Sequence, residues 1–359
     1  MIKKSIMGGA INVRQSNFEL LRLLCILGIV TMHTYGTFYG TATGINLIYG
    51  VLINSIFNTG VSIFVLISGY FGINKTIKKI LQLEMAIIFY SVLSTITISF
   101  IQNCWDIKNI IIAFFPVISG KYWFITSYFL LLLFSNYLNK VPETLERKDF
   151  EKLLFLMFSI FSIIPTILQF HVMNDGGKGF ANMLLMYYIG RYIRLYWNKK
   201  VDNLNRMCAL LIGITAIGFS LNLILTIIRG GVGVYAPFAR DCTCIIIIAS
   251  ILIFIVFKHL NIRSKLINRM AKHVIAVYLY ENAMRTSLNC FFDITVYGEK
   301  WYLFMVINVY VIVIIVSCMF VDLIRSFISE PLEKIAYTLS YNLYKHLCIL
   351  AKKYMNKIL

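Results

Sequence analysis

The sequence is short of charge, and above all of acid. Only 14% of its 359 residues are charged, with 16 Asp and Glu against 34 Lys and Arg. With 59% hydrophobic residues and a mean hydropathy of +0.77, a soluble chain of this size could not hide its apolar surface. Metal-ligand patterns are missing too. The eight cysteines form no CxxC and no Cys/His ligand spacing, and "DCTC" (Asp241 to Cys244) is only a CxC at a helix start, so no metal is expected. Cys104, Cys242, Cys244 and Cys290 are expected near the outer face, where nothing in their spacing selects a disulfide. The basic start "MIKKSIMGGAINVRQSN" lacks a short apolar core with a small-residue cleavage site, so no cleavable signal peptide is expected. Internal repeats, low-complexity segments and a soluble domain are also lacking.

What is present is a series of apolar runs from residue 18 to residue 328, which predicts an all-α, polytopic membrane helix bundle. Candidate spans lie at 18–38, 49–71, 80–101, 122–139, 153–171, 181–197, 208–228, 241–258, 273–291 and 302–325, giving about ten transmembrane helices. The weakest are 153–171, which contains Pro165, and 181–197, which runs into "GRYIRLYWNKK". "IKNIIIAFFPVIS" (Ile107 to Ser119) is too short to cross and reads as a re-entrant or interfacial piece broken at Pro116.

On a soluble protein the net charge of +18 would suggest nucleic acid. Here the excess sits between hydrophobic segments, which fits anionic lipid and the positive-inside rule, and no nucleic-acid partner is expected. With both termini placed in the cytoplasm, the inner segments, together with the inner ends of the spans, hold 26 of the 34 Lys and Arg and the outer segments 6, while Arg22 and Arg285 are counted inside spans. Dropping one helix would invert every later loop, so this asymmetry supports the count. Residues 1–335 are read as one membrane domain. Residues 336–359 are read as a basic amphipathic tail, with Leu339, Leu343, Leu347, Leu350, Tyr354 and Ile358 recurring among lysines, lying on the inner leaflet.

The first span, "FELLRLLCILGIVTMHTYG", carries Glu19, Arg22 and His33. Eleven residues are just over three turns, so Arg22 and His33 share one face, about 16 Å apart along the axis. Arg22 falls near the cytoplasmic end and His33 past the midplane. Ionisable groups at such depth face a protein-lined or water-filled cavity and are functional candidates. An arginine at that end also snorkels to lipid phosphate, and a lone membrane histidine also serves as a polar contact between helices. Both on one stripe favour a polar channel, in which His33 acts as general base and Arg22 holds a phosphate or anionic cofactor.

The stretch "RLLCILGIVTMH" resembles the Arg-x10-His signature in the first helix of the acyltransferase family 3 membrane proteins. "GVSIFVLISGYF" (Gly60 to Phe71) is similar to the family's second-helix run ending in Ser-Gly-Phe/Tyr, and "KKILQLEMAIIFYSV" (Lys78 to Val92) to the basic start of its third helix. "KYWFITSYFLLLLFSNYLN" (Lys121 to Asn139) resembles its Trp-Phe helix, "VYLYEN" (Val277 to Asn282) its Tyr-Leu-Ile-His-Glu-Asn segment, and "ISEPLEK" its closing Glu-x-Pro turn. The likeness runs over roughly residues 15–335. Departures are visible: the family's Arg-x-x-Arg at the third helix reads Lys78, Lys79 and Gln82, while Arg191 and Arg194 carry that spacing in another inner segment, and Tyr280 replaces the histidine of the ninth-helix motif.

The resemblance implies an integral-membrane O-acyltransferase of the bacterial plasma membrane. It would pass an acyl group, most simply acetyl, from cytosolic acetyl-CoA to a hydroxyl of a cell-surface polysaccharide or lipid-linked sugar. His33 and Arg22 would be catalytic, with His33 as base or as acyl-accepting nucleophile, and Arg22, Lys78 and Lys79 would hold the CoA phosphates. Trp123, Tyr280, Glu281 and Arg285 are the expected substrate-side residues. Glu281 and Arg285, four apart, equally read as a pair that lets its helix insert, and Trp123 equally as part of an interfacial aromatic belt. Glu84 is expected to pair with a neighbouring Lys, and His171, His259, His273 and His346 to be solvated. A proton-coupled transporter or flippase of an envelope precursor is the alternative, because an in-register Arg and His also suit a carrier. Neither inverted repeats nor paired Gly/Pro-broken helices support it.

Overall fold

The structure is a computed structural model; it describes residues 14–74, 76–169, 173, 175–197, 203–328, 335 and 337–347. "ISEPLEK" falls mostly outside these residues, as do His171, Leu350, Tyr354 and Ile358. The described residues form helices and no strand. The helices of ten residues or more are α1 (Ser16–Tyr35), α2 (Gly44–Phe57), α3 (Thr59–Phe71), α4 (Ile77–Ile101), α6 (Trp123–Leu138), α8 (Arg147–Phe158), α10 (Phe180–Tyr196), α11 (Leu204–Ile228), α12 (Cys244–His259), α14 (Val274–Phe291) and α15 (Leu303–Ile328), and residues 337–347 are helical as well. Shorter pieces are α5 (Ile107–Ala113), α7 (Val141–Thr144), α9 (Ile164–Leu168) and α13 (Lys265–Met270).

Each of the ten stretches expected to be apolar spans meets a helix. Six are long and apolar enough to cross a membrane: Ser16–Phe38, Gly44–Phe71, Ile77–Ile101, Arg147–Leu168, Leu204–Ile228 and Leu303–Phe327. The Cys244–His259 helix is apolar but shorter. The expected span at 241–258 starts late because the Thr243 hydroxyl, accepting from the Ile246 N–H, caps α12. Pro165 does not end its span: a π-helical turn over Ser159–Ile163 precedes it and α9 continues to Leu168. The α5 helix, seven residues long, is far too short to cross.

Close packing of small residues seats α3 on α10. A Cβ on Gly69 would lie 2.2 Å from the Tyr187 carbonyl oxygen, and one on Gly190 would lie 2.5 Å from that of Leu66. Only glycine lets these backbones approach so closely. The helices α1 and α14 run parallel. The hydroxyl of Ser16 receives the Ser264 N–H at 3.0 Å, and His33 meets Glu281 at the same sequence separation of 248.

Near the start of α14, His273 departs from its expected solvated position. Its Nδ1 lies 2.6 Å from Asp322 Oδ2, and its side chain is 13% exposed. The Tyr90 hydroxyl donates to Asp322, and Arg325 Nε donates to Asp322 Oδ1 at 2.8 Å, so this cluster ties α4, α14 and α15 together. His259 also turns inward, its Nδ1 2.8 Å from the Ile255 carbonyl oxygen. Among the described residues the ion pair expected for Glu84 is not formed; its Oε2 is buried with no hydrogen-bond partner. No disulfide joins the described cysteines.

Candidate functional site

A cavity of about 350 Å³ opens between α1, α3, α4, α6 and α14. Helical periodicity decides what lines it. On α1 the lining residues are Arg22, Ile26 and Ile29, at steps of four and three, and the next position on that stripe is His33. On α14 they are Val274, Ile275 and Tyr278, and the next turn brings Glu281. The two stripes therefore converge one turn beyond the cavity, where His33 Nδ1 lies 2.9 Å from Glu281 Oε1.

At the opposite end the mouth is basic. Arg14, Arg22 and Lys272 all line it, while the middle is apolar, walled by Leu83, Ile87 and Phe124. Arg14 is fixed by donating from Nη1 to the Asn268 carbonyl oxygen at 3.1 Å. Arg22 Nη1 sits 3.5 Å from Glu19 Oε2 with its side chain 35% exposed.

Glu281 bridges His33 and Arg285. Its other oxygen, Oε2, lies 3.4 Å from Arg285 Nη1, and Arg285 Nη2 donates to Asn282 Oδ1 at 2.7 Å. A carboxylate only accepts, so Nδ1 of His33 carries the hydrogen facing it. In the neutral ring this tautomer leaves the lone pair on Nε2, which is the form a general base needs. The His33 side chain is 42% exposed and the Glu281 side chain 6%, so the imidazole is reachable and the group that orients it is not.

The other expected residues lie elsewhere. Lys78 and Lys79 are outside the cavity lining; the Lys78 ammonium sits 5.3 Å from the centre of the Tyr337 ring and Lys79 is exposed. Tyr280 turns away from the cavity to α4, where its hydroxyl pairs with Thr97 Oγ1 at 3.0 Å; Tyr278, two residues earlier, faces in. Trp123 stands edge-on to Phe124 with its ring 5.7 Å from the Lys178 ammonium, and Phe124 is the cavity residue. Arg14, Lys272 and Tyr278 escaped the sequence reading. The two cations belong to inner charge clusters in which no local signal marks one member as facing a cavity. The sign for Tyr278 was its step of three from Glu281.

The segment that leads into α6 lies beside the site. Lys121, just before α6, reaches back to α4 and donates to the Ser91 carbonyl oxygen at 2.8 Å and Thr95 Oγ1 at 2.6 Å. Burial lowers its pKa to about 8. Next to it, the Tyr122 hydroxyl donates to the Leu279 carbonyl oxygen at 3.0 Å, holding the segment against α14.

No curated protein and no solved structure matches the chain at a significant level. The profile of acyltransferase family 3, described as an acyltransferase domain, matches residues 15–326, from the residue before α1 almost to the end of α15. A match over nearly the whole chain, together with the helices long and apolar enough to cross a membrane, identifies this multi-pass membrane protein as a member of acyltransferase family 3.

Proposed function

We propose that this protein is a membrane O-acyltransferase that takes an acyl group, most simply acetyl, from cytosolic acyl-CoA and passes it to a hydroxyl of a cell-surface polysaccharide or lipid-linked sugar. The observation that carries this reading is a largely apolar cavity lined at one end by three cations, with an imidazole oriented by a buried carboxylate on the same helix faces one turn beyond its lining. CoA phosphates pair with Arg14, Arg22 and Lys272. The cavity volume, near the low end for ligand pockets, suits the thin pantetheine arm and its acyl group, with the nucleotide left at the mouth. Ten spans with both termini in the cytoplasm of a bacterial plasma membrane would put that mouth where acyl-CoA is made.

In this reading Nε2 of His33 removes the acceptor hydroxyl proton as the oxygen attacks the thioester carbonyl carbon. The carbon–sulfur bond breaks, and the departing thiolate takes the proton back from the imidazolium, giving an ester and CoA. Glu281 keeps the imidazole in the required tautomer, and Arg285 holds Glu281.

The test is transfer of labelled acetyl from acetyl-CoA into the glycan and lipid fractions of membranes, comparing the native protein with His33→Ala at equal insertion. Label that enters a fraction and is lost with His33→Ala supports the proposal, and the labelled fraction names the acceptor class. Absence of both label and CoA release from the native protein, with the host's own glycans supplied, overturns it.

A further inference from the structure

Above the cavity the chemistry of α14 changes while its face does not. The stripe that lines the cavity at Tyr278 continues as Asn282, Arg285 and Asn289, at steps of four, three and four. These steps match the α1 stripe from Arg22 to His33, so the two helices present parallel faces. Below Glu281 the α14 face is apolar; above it, over about 10 Å of axis, it carries two amides, a guanidinium and Thr286. Asn282 is exposed. Such groups facing lipid would be costly, and α14 is not among the helices apolar enough to cross a membrane.

The hydrogen bonds within this ladder are one-sided. Arg285 is a pure donor and occupies Oδ1 of Asn282 at 2.7 Å. The Tyr310 hydroxyl donates to Oδ1 of Asn289 at 2.6 Å, and the Thr286 hydroxyl donates back to the Asn282 carbonyl oxygen at 2.9 Å. Among the described residues the amide oxygens are taken and both Nδ2 groups are left to donate. A ligand on this face therefore meets two free amide donors, which favours one that offers oxygen acceptors.

We infer that Asn282 and Asn289 form the acceptor subsite, their Nδ2 groups donating to oxygens of a hydroxyl-rich acceptor and setting one of its hydroxyls beside Nε2 of His33. This rests on the proposed acyl transfer.

The experiment uses the full chain in membranes, with acetyl-CoA and the host's extracted glycan and glycolipid fraction as acceptor, each titrated against a fixed amount of the other. Asn282→Ala and Asn289→Ala raise the KM for the acceptor fraction about 3–10-fold each, with the KM for acetyl-CoA unmoved. Asn282→Asp is the decisive variant. It keeps, and strengthens, the contact with Arg285 but exchanges the free donor for an acceptor. If Asn282 served only to hold Arg285, Asp would be tolerated; as a donor to substrate it fails like Ala. Asn308→Ala, on α15, removes an exposed amide that donates to Tyr49 and leaves both constants unchanged. His33-dependent transfer with an acceptor KM indifferent to Asn282→Asp overturns the subsite and leaves the acyltransferase reading standing. Absence of His33-dependent transfer overturns both.

Discussion

Two clusters in this molecule combine the same kinds of group, an imidazole, a carboxylate and a guanidinium, with different access. Both place a histidine Nδ1 against a buried carboxylate that an arginine also holds: His33 with Glu281 and Arg285, and His273 with Asp322 and Arg325. In the first the histidine side chain is 42% exposed, in the second 13%. The second is closed further by Tyr90, whose hydroxyl donates to Asp322. A triad of these residue types is thus no sign of catalysis by itself. What separates a reactive imidazole from a helix fastener is whether the nitrogen away from the carboxylate can meet a substrate.

The largest expected effect breaks the comparison directly. His33→Ala removes acyl transfer by roughly 10²–10⁴-fold, the usual worth of a general base, with no loss of folded protein. His273→Ala leaves transfer within several-fold and lowers the thermal midpoint. Radiolabel transfer and thermal shift, measured on the same two preparations, check both.

The carboxylates sharpen it. Asp322→Asn removes the buried charge that His273 and Arg325 share and costs about 3 kcal/mol of stability, as loss of one partner of a buried pair does, read as a lower melting temperature in detergent. Glu281→Gln lowers kcat roughly 10–100-fold, because an amide can present a donor to Nδ1 and so favour the wrong tautomer. A Glu281→Gln enzyme with native kcat would return Glu281 to a structural role.

A smaller effect distinguishes the cations. Arg14→Ala or Lys272→Ala raises the KM for acyl-CoA several-fold, more at low ionic strength, whereas Lys78→Ala and Lys79→Ala do not. Steady-state titration of acetyl-CoA at two salt concentrations checks this.

The smallest concerns Lys121, outside both triads. Its pKa is lowered by burial to about 8, so between pH 8 and its unperturbed value the unfolded chain binds more protons than the folded one. Stability therefore rises with pH across that window, and Lys121→Met flattens the rise in a thermal-shift series.

Much of the site was legible because a helix turns at a fixed rate. The Arg22–His33 stripe needed only the period of 3.6 residues, and the Glu281–Arg285 pairing only the step of four. The departures came where partners lie far apart in the chain. Lys78 and Lys79 start a helix whose cavity face is set by Leu83 and Ile87, and Tyr280 faces α4 because Tyr278 already occupies the inward position. His273 looked like one more residue of a basic loop, since its partner is 49 positions away.

The sequence by itself determined that this chain is a helical membrane bundle, where its apolar helices run, and that Arg22 and His33 share one face of α1, because hydropathy and helical period are local properties. Only the tertiary structure decided that Glu281 rather than another acid orients His33, that Arg14 and Lys272 rather than Lys78 and Lys79 guard the mouth, and that His273 is shut away. Those outcomes depend on how helices distant in sequence are rotated against one another, and that rotation is fixed by packing such as the Gly69–Gly190 contact between α3 and α10, which no local pattern encodes.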